Sequence, residues 1–122
     1  MADYPFLIAL NNSLPSGGRI TLSYQVQTNE QIIVHDLMYS RTATFSLYGL
    51  RTNQWYYANI NESNPILSTF LKKVGNEYNN IGLFDKPLVI MSGDTLYLDV
   101  VDTGAATETL YILLAATRKV GN

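Results

Sequence analysis

Apolar and polar residues alternate along much of this chain. In RITLSYQVQ, Arg19 to Gln27, the residues Ile20, Leu22, Tyr24 and Val26 alternate with Arg19, Thr21, Ser23, Gln25 and Gln27. Successive side chains of a strand point to opposite faces, so this segment predicts one dry face and one wet face. TATFSLY repeats the pattern with Ala43, Phe45 and Leu47, and DTLYLDVV repeats it with Leu96, Leu98 and Val100. TLYILLAATR differs, being apolar on both parities: Leu110, Ile112 and Leu114 on one, Tyr111, Leu113 and Ala115 on the other. Such a strand is central or covered on both faces. YPFLIAL, IIVHDLMY, WYYANI and PLVIM are weaker strand candidates.

Between these runs lie clusters of Gly, Asn, Asp and Pro: NNSLPSGG, TNE, GLRTNQ, GNEYNNIG, SGD and DTGAAT. These residues supply the positive or preset φ that chain reversals need. Short strands at such spacing predict an all-β fold. The expected architecture is an antiparallel two-sheet sandwich, jelly-roll or immunoglobulin-like, forming a single domain over residues 1–122. One stretch breaks the period. In SNPILSTFLKKVGN, the residues Ile66, Leu67, Phe70, Leu71 and Val74 fall at helical spacing, behind Asn64 as a cap and Pro65 in the first turn. This predicts a short helical segment near residues 65–74.

Composition narrows the functional classes. With 122 residues the chain can bury a core without staples, and it has no cysteine for a disulfide, a thiolate metal site or a thiol nucleophile. Net charge is −2, and only 15% of residues are charged. The few Lys and Arg residues are scattered, whereas phosphate-backbone binding needs a clustered basic patch, so nucleic acid is not an expected partner. The longest apolar run, LYILLAA, falls far short of the ~20 residues of a membrane-spanning helix. MADYPFLIAL lacks the basic leader and apolar core of a secretory signal, so the chain is expected to be kept or assembled in a cytoplasm. Nine Tyr among many Asn, Ser and Thr suit protein or sugar contact, or simply good strand residues.

The segment MSGDTLYLDVVDTG carries three aspartates. Asp94 falls in the turn before a strand, Asp99 on the strand face opposite Leu96, Leu98 and Val100, and Asp102 at an odd offset from Asp99 and so on the other face. That scatter suits neither a shared calcium ion nor an acid/base dyad. The three are expected to shape a turn, solvate an outer face and open the next turn; the remaining option is a calcium site completed by Glu108 or loop carbonyls. His35 is the only histidine, and it shares a strand parity with Ile33 and Leu37, with Asp36 facing the other way. A triad would need it as base, and no Gly-x-Ser-x-Gly elbow accompanies it. Ser16-Gly17-Gly18 lacks the Lys-Ser/Thr of a phosphate-binding loop and leads into a strand. No catalytic residue, cofactor or metal is therefore expected. In QWYYANI, Trp55, Tyr56 and Tyr57 are adjacent, so at least one aromatic points away from the core. Beside Asn53, Asn59 and Asn61 these aromatics suit either a sugar ring or a protein interface.

From Phe84 to Arg118 the chain shows Phe84, Pro87, an Ile90-x-x-Gly93-Asp94-x-Leu96 turn, a strand, a small polar turn and a final strand ending in Arg118. This order resembles the C-terminal half of small β-sandwich accessory proteins of tailed bacteriophages, over about a third of the chain. Family members close with Gly-x-Arg; here Ala116 stands where the glycine would be. The resemblance implies a non-enzymatic structural role on the virion, as a capsid decoration or minor accessory subunit. It also implies many copies, a trimer or other homo-oligomer, and partners such as a major capsid protein. The residues expected at such contacts are Tyr4, Pro5 and Phe6 near the N-terminus, together with Trp55, Tyr56 and Tyr97. The alternative is a carbohydrate-binding β-sandwich module using Trp55, Tyr56 and the neighbouring Asn residues.

Overall fold

The computed structural model describes residues 2–40, 44–54, 56, 58, 60–67, 72–73, 88–104 and 106–121. The strands are β1 (Ala2–Leu14), β2 (Arg19–Gln25), β3 (Glu30–Ser40), β4 (Phe45–Thr52), β5 (Ile66–Leu67), β6 (Lys72–Lys73), β7 (Leu88–Ile90), β8 (Thr95–Asp102) and β9 (Glu108–Val120). They form two sheets. The first has the order β1-β9-β3, and the far edge of β3 is shared by β7 and β6; the second has the order β2-β8-β4-β5. All pairings are antiparallel except the short parallel ladder between Met38–Tyr39 and Lys72–Lys73. The sandwich expected from period two is thus present.

The alternating segments behave as their pattern requires. Leu96, Leu98 and Val100 on β8 are fully buried, while Tyr97, Asp99 and Val101 lie half-buried on the outer side. On β2, Leu22 is buried, while Thr21 and Ser23 are exposed. Facing them across the sandwich are Ile8, Leu14, Ile32, Val34, Leu110, Ile112 and Leu114. Each such side chain, fully buried, contributes about 1.5–3 kcal/mol. Tyr39 and Phe45 close one end of the core edge to face, with centroids 5.3 Å apart.

Three expectations need correction. The first is the helix near residues 65–74. Ile66 pairs with Leu47 and Leu67 with Ser46 on β4, and Lys72–Lys73 pairs with β3. Ile66 meets the core from a strand edge, which satisfies its apolar side chain without a helical face. Residues 68–71 and 74 lie outside the described residues. The second is WYYANI as a strand. Tyr56 makes only an isolated bridge to Arg51, whereas β4 runs on through Gly49 to Thr52, which the turn residues of GLRTNQ had placed in a reversal. Trp55, Tyr57 and Asn59 lie outside the described residues.

The third correction concerns β3. Its register against β9 shifts between Val34 and Asp36, so His35 is an extra residue that forms a bulge. Ile32, Val34, Leu37 and Tyr39 therefore all face the core, while Ile33 is half-buried and His35 exposed. The bulge resets parity, and His35 shares a face with neither Ile32 nor Leu37.

Candidate interaction surfaces

Each aspartate of the 91–104 segment has its own donors. Asp94 is buried in the turn before β8, where its Oδ1 accepts the N–H groups of Asn53 at 2.9 Å and Thr95 at 2.7 Å. That turn needs Gly93 at φ 79°, and it docks on the β2–β3 corner through the Val26 N–H to the Asp94 carbonyl at 2.9 Å. Asp102 is buried at the inner end of β8. It accepts from Gly17 N–H through Oδ2 at 3.2 Å and from Gly104 N–H through Oδ1 at 2.9 Å. Both are therefore clamps between neighbouring turns; neither is a wet strand edge. Glu108 approaches the same turn, but its Oε2 accepts the Thr44 N–H at 3.0 Å.

Asp99 lies on the outer face of β8, opposite the bulged register of β4. Its Oδ1 accepts from Thr21 Oγ1 at 2.7 Å, and its Oδ2 from Arg51 Nε at 3.1 Å. Gly49 makes room for it, since a Cβ there would come within 2.3 Å of Asp99 Oδ2. The Arg51 guanidinium lies 4.4 Å from the ring centroid of Tyr97. Hydrogen bonding to Asp99 raises the Arg51 pKa further, against a smaller opposing effect of desolvation. Tyr56, 72% exposed, bridges Arg51 from the other side. Tyr97, Arg51 and Tyr56 thus form a row across the outer face of the second sheet. Arg19 adds a second stacked cation 4.9 Å from the Tyr48 ring, and pairs with Glu62.

The expected contact residues therefore separate into two places. Tyr56 and Tyr97 come together around Arg51. Tyr4, Pro5 and Phe6 lie far along β1, paired with Arg118, Thr117 and Ala116, and are strand residues with no free arm. Tyr4 and Pro5 are exposed. Phe6 is half-buried, 6.2 Å from the Tyr24 ring and 5.6 Å from the Arg118 guanidinium, which is itself paired with the buried Glu30. That hydrogen bond to Glu30 is the main reason the Arg118 pKa is raised. Trp55 lies outside the described residues.

The outer face of the first sheet is the surface that pattern reasoning reached only indirectly. Its rows follow from register. Leu7 sits beside Ala115 and Asp36, Ala9 beside Leu113 and Met38, and Pro5 beside Thr117 and Ile33, with Val89 next to Ile33. Leu7 is 66% exposed and Val89 41% exposed. All described strands belong to the two sheets, so no described strand is layered over this face. A shallow hollow of about 600 Å³ lies here, lined by Pro5, Phe6, Leu7, His35, Ala115 and Ala116. It exists because the central strand carries small alanines between the larger Leu7 and His35. The signal for this surface was the two-parity apolar run of β9. For the polar face it was Gly49 within a strand, which marks a close approach. No protein-family model, curated protein or solved structure matches this chain.

Proposed function

We propose that this chain is a non-enzymatic structural subunit of a tailed-bacteriophage virion, a capsid decoration or minor accessory protein assembled in the host cytoplasm. It works by packing against copies of itself and against other virion proteins such as a major capsid protein. One observation carries the assembly reading: β9 is central in its sheet and apolar on both faces, yet among the described residues only its inner face is covered by a second layer of strands. A large, mainly apolar sheet face on a chain with few charges is a surface built to be covered. Asp94, Asp102 and Glu108 are engaged by backbone N–H groups, and Asp99 by Thr21 and Arg51, which favours structural over catalytic roles for them. The placement on a phage particle rests on the resemblance over Phe84 to Arg118, whose Gly93-Asp94 turn is a tight, internally clamped reversal.

The strand orders favour a jelly-roll over an immunoglobulin-like sandwich. The chain changes sheet at nearly every connection, and β1 and β9, first and last in sequence, lie side by side. Jelly rolls serve both capsid subunits and lectins, so the fold does not select a function, and the covered-face argument must. Particles of the encoding phage should contain the chain in many copies, and stripping it should lower their resistance to heat or osmotic shock. Absence from particles, with retention on a polysaccharide matrix, would overturn the proposal. The second reading, a carbohydrate-binding module, draws on the Tyr97-Arg51-Tyr56 row. A glycan array on which binding appears and is lost with Tyr56→Ala would favour it.

A further inference from the structure

We propose that two copies join edge to edge along β1, antiparallel, about a two-fold axis that is normal to the first sheet and passes through Ala9. The first sheets of the two copies then run on as one. This rests on the self-assembly reading above and adds an edge, a register and a symmetry.

The hydrogen-bond phase of β1 shows which backbone groups are open. Gly121 donates its N–H to the Asn29 carbonyl at 3.2 Å, so odd-numbered residues of β9 turn their backbone groups toward β3. Even-numbered ones turn toward β1, where their partners are also even, as with Tyr4 opposite Arg118 and Ile8 opposite Leu114. The odd-numbered residues of β1 therefore turn their N–H and C=O groups away from β9. Two residues agree with this phase. Pro5 has no N–H to give, which suits a position outside the ladder. The Ser13 N–H is taken by Asn12 Oδ1 at 2.8 Å. Between these two, Leu7, Ala9 and Asn11 present their backbone groups with no strand beside them among the described residues.

An edge of this kind is open to a further strand. β1 has 13 residues in unbroken register with β9, where a typical strand has about 5–6. It carries no Lys, Arg, Asp or Glu from Tyr4 to Leu14. Sheet edges that stay unpaired are blunted by charges, prolines or bulges. Here the blunting is confined to Pro5 and Ser13, one toward each end of the strand.

The spacing of those two interruptions selects a second copy of this chain. A two-fold at Ala9 sets Ala9 against its own copy, Leu7 against the partner's Asn11, and Pro5 against the partner's Ser13. The missing N–H of Pro5 thus meets the serine whose N–H is already satisfied, and both interruptions fall on a single pair at each end of the new ladder. The pairs between them exchange both backbone hydrogen bonds. An axis at Ile8 would put Pro5 opposite Asn11 and leave that carbonyl without a donor. An axis at Leu10 would put Leu7 opposite Ser13, whose N–H must first leave Asn12. An unrelated strand would have to carry the same interruptions at the same spacing. The axis also keeps each face on its own side: buried Ile8 meets the partner's half-buried Leu10 toward the core, and exposed Leu7 and Ala9 stay outward.

The test uses the whole chain, which has no native cysteine. Sedimentation velocity over a concentration series should show a reversible dimer. Ala9→Pro removes an N–H that β9 does not use, and Ala9→Lys, at an exposed position, sets two like charges on the axis. Each should weaken the dimer by roughly a hundredfold or more. Val89→Asp, exposed on β7 beyond β3, should leave it unchanged. In air-saturated buffer Ala9→Cys should form a disulfide dimer by itself, since directly paired Cα atoms about 5.5 Å apart lie within disulfide reach. Leu7→Cys should form one only when mixed with Asn11→Cys. A dimer that withstands both Ala9→Pro and Ala9→Lys, with no Ala9→Cys cross-link, overturns the edge and leaves self-assembly standing. Cross-linking of Leu7→Cys to itself overturns the register, and a trimer overturns the two-fold. A strict monomer overturns self-association itself, and particle content then decides the virion reading separately.

Discussion

Buried acids in this chain work as turn clamps, and their removal should be felt in stability. Asp102 ties the β1–β2 turn to the end of β8 through Gly17 and Gly104. Asp94 ties the turn after β4 to the turn before β8 through Asn53 and Thr95. Asp102→Ala or Asp94→Ala leaves two backbone N–H groups without their acceptor, costing about 1–3 kcal/mol each. Asp→Asn keeps an acceptor oxygen and should cost less. Urea unfolding midpoints at constant slope would check the order Ala worse than Asn; equal losses would show that charge, and not the acceptor geometry, is what matters. Gly49 gives a second residue-scale test. Gly49→Ala drives a Cβ against the Asp99 carboxylate, with an expected cost of about 1–3 kcal/mol. In an Asp99→Ala background the same change should cost clearly less, because the carboxylate oxygen that comes nearest is gone and only the Cβ of residue 99, at 3.0 Å, is left. A double-mutant cycle with no coupling would place the strain in the backbone of β4 instead.

At the scale of elements, β8 was legible because alternation is a direct consequence of strand geometry, and β9 because a short run apolar on both parities suits a central strand. Leu96, Leu98 and Val100 alternate in sequence and are buried together. The odd offset between Asp99 and Asp102 also put them on opposite faces, as they are. β3 was legible as a strand but not in phase. One extra residue resets the parity, and nothing in IIVHDLMY marks which residue is extra. β5 and β6 were missed because a helical spacing of apolar residues also fits residues that add to an existing strand edge by tertiary pairing. The candidate surface was legible only as a surplus of apolar residues on β9. Leu7, which contributes most exposure, looks like an ordinary strand residue until register places it beside Ala115. The bulge makes a prediction that an unbulged strand does not. Deleting His35 should restore regular alternation, with Val34 and Leu37 still inward. The deletion variant should unfold cooperatively, within about 1 kcal/mol of the parent, having lost only the 2.8 Å contact of His35 with Thr117. Deleting Met38 instead turns Tyr39 to the wrong face and should abolish cooperative unfolding. Thermal unfolding followed by near-ultraviolet circular dichroism separates the two cases.

For the whole molecule, sparse charge and an apolar sheet face imply an association whose physics differs from electrostatic docking. With a net charge of −2 there is little long-range repulsion between copies for salt to screen. The pair of Asp3 and Lys119 is largely satisfied within one copy. Burial of Leu7, Leu10 and other apolar side chains of the first sheet supplies the driving force, and this term weakens on cooling and strengthens in excluded salts such as sulfate. Self-association measured by sedimentation should therefore change by less than about threefold when ionic strength rises tenfold with sodium chloride, tighten in sodium sulfate, and loosen between 25 °C and 5 °C. Calorimetric dilution at several temperatures should give a negative heat-capacity change for association. A steep loss of affinity with sodium chloride would transfer the contact to the charged face around Arg19, Arg51 and Glu62. The polar row of Tyr97, Arg51 and Tyr56, and not the apolar sheet, would then be the surface through which the chain meets its partners.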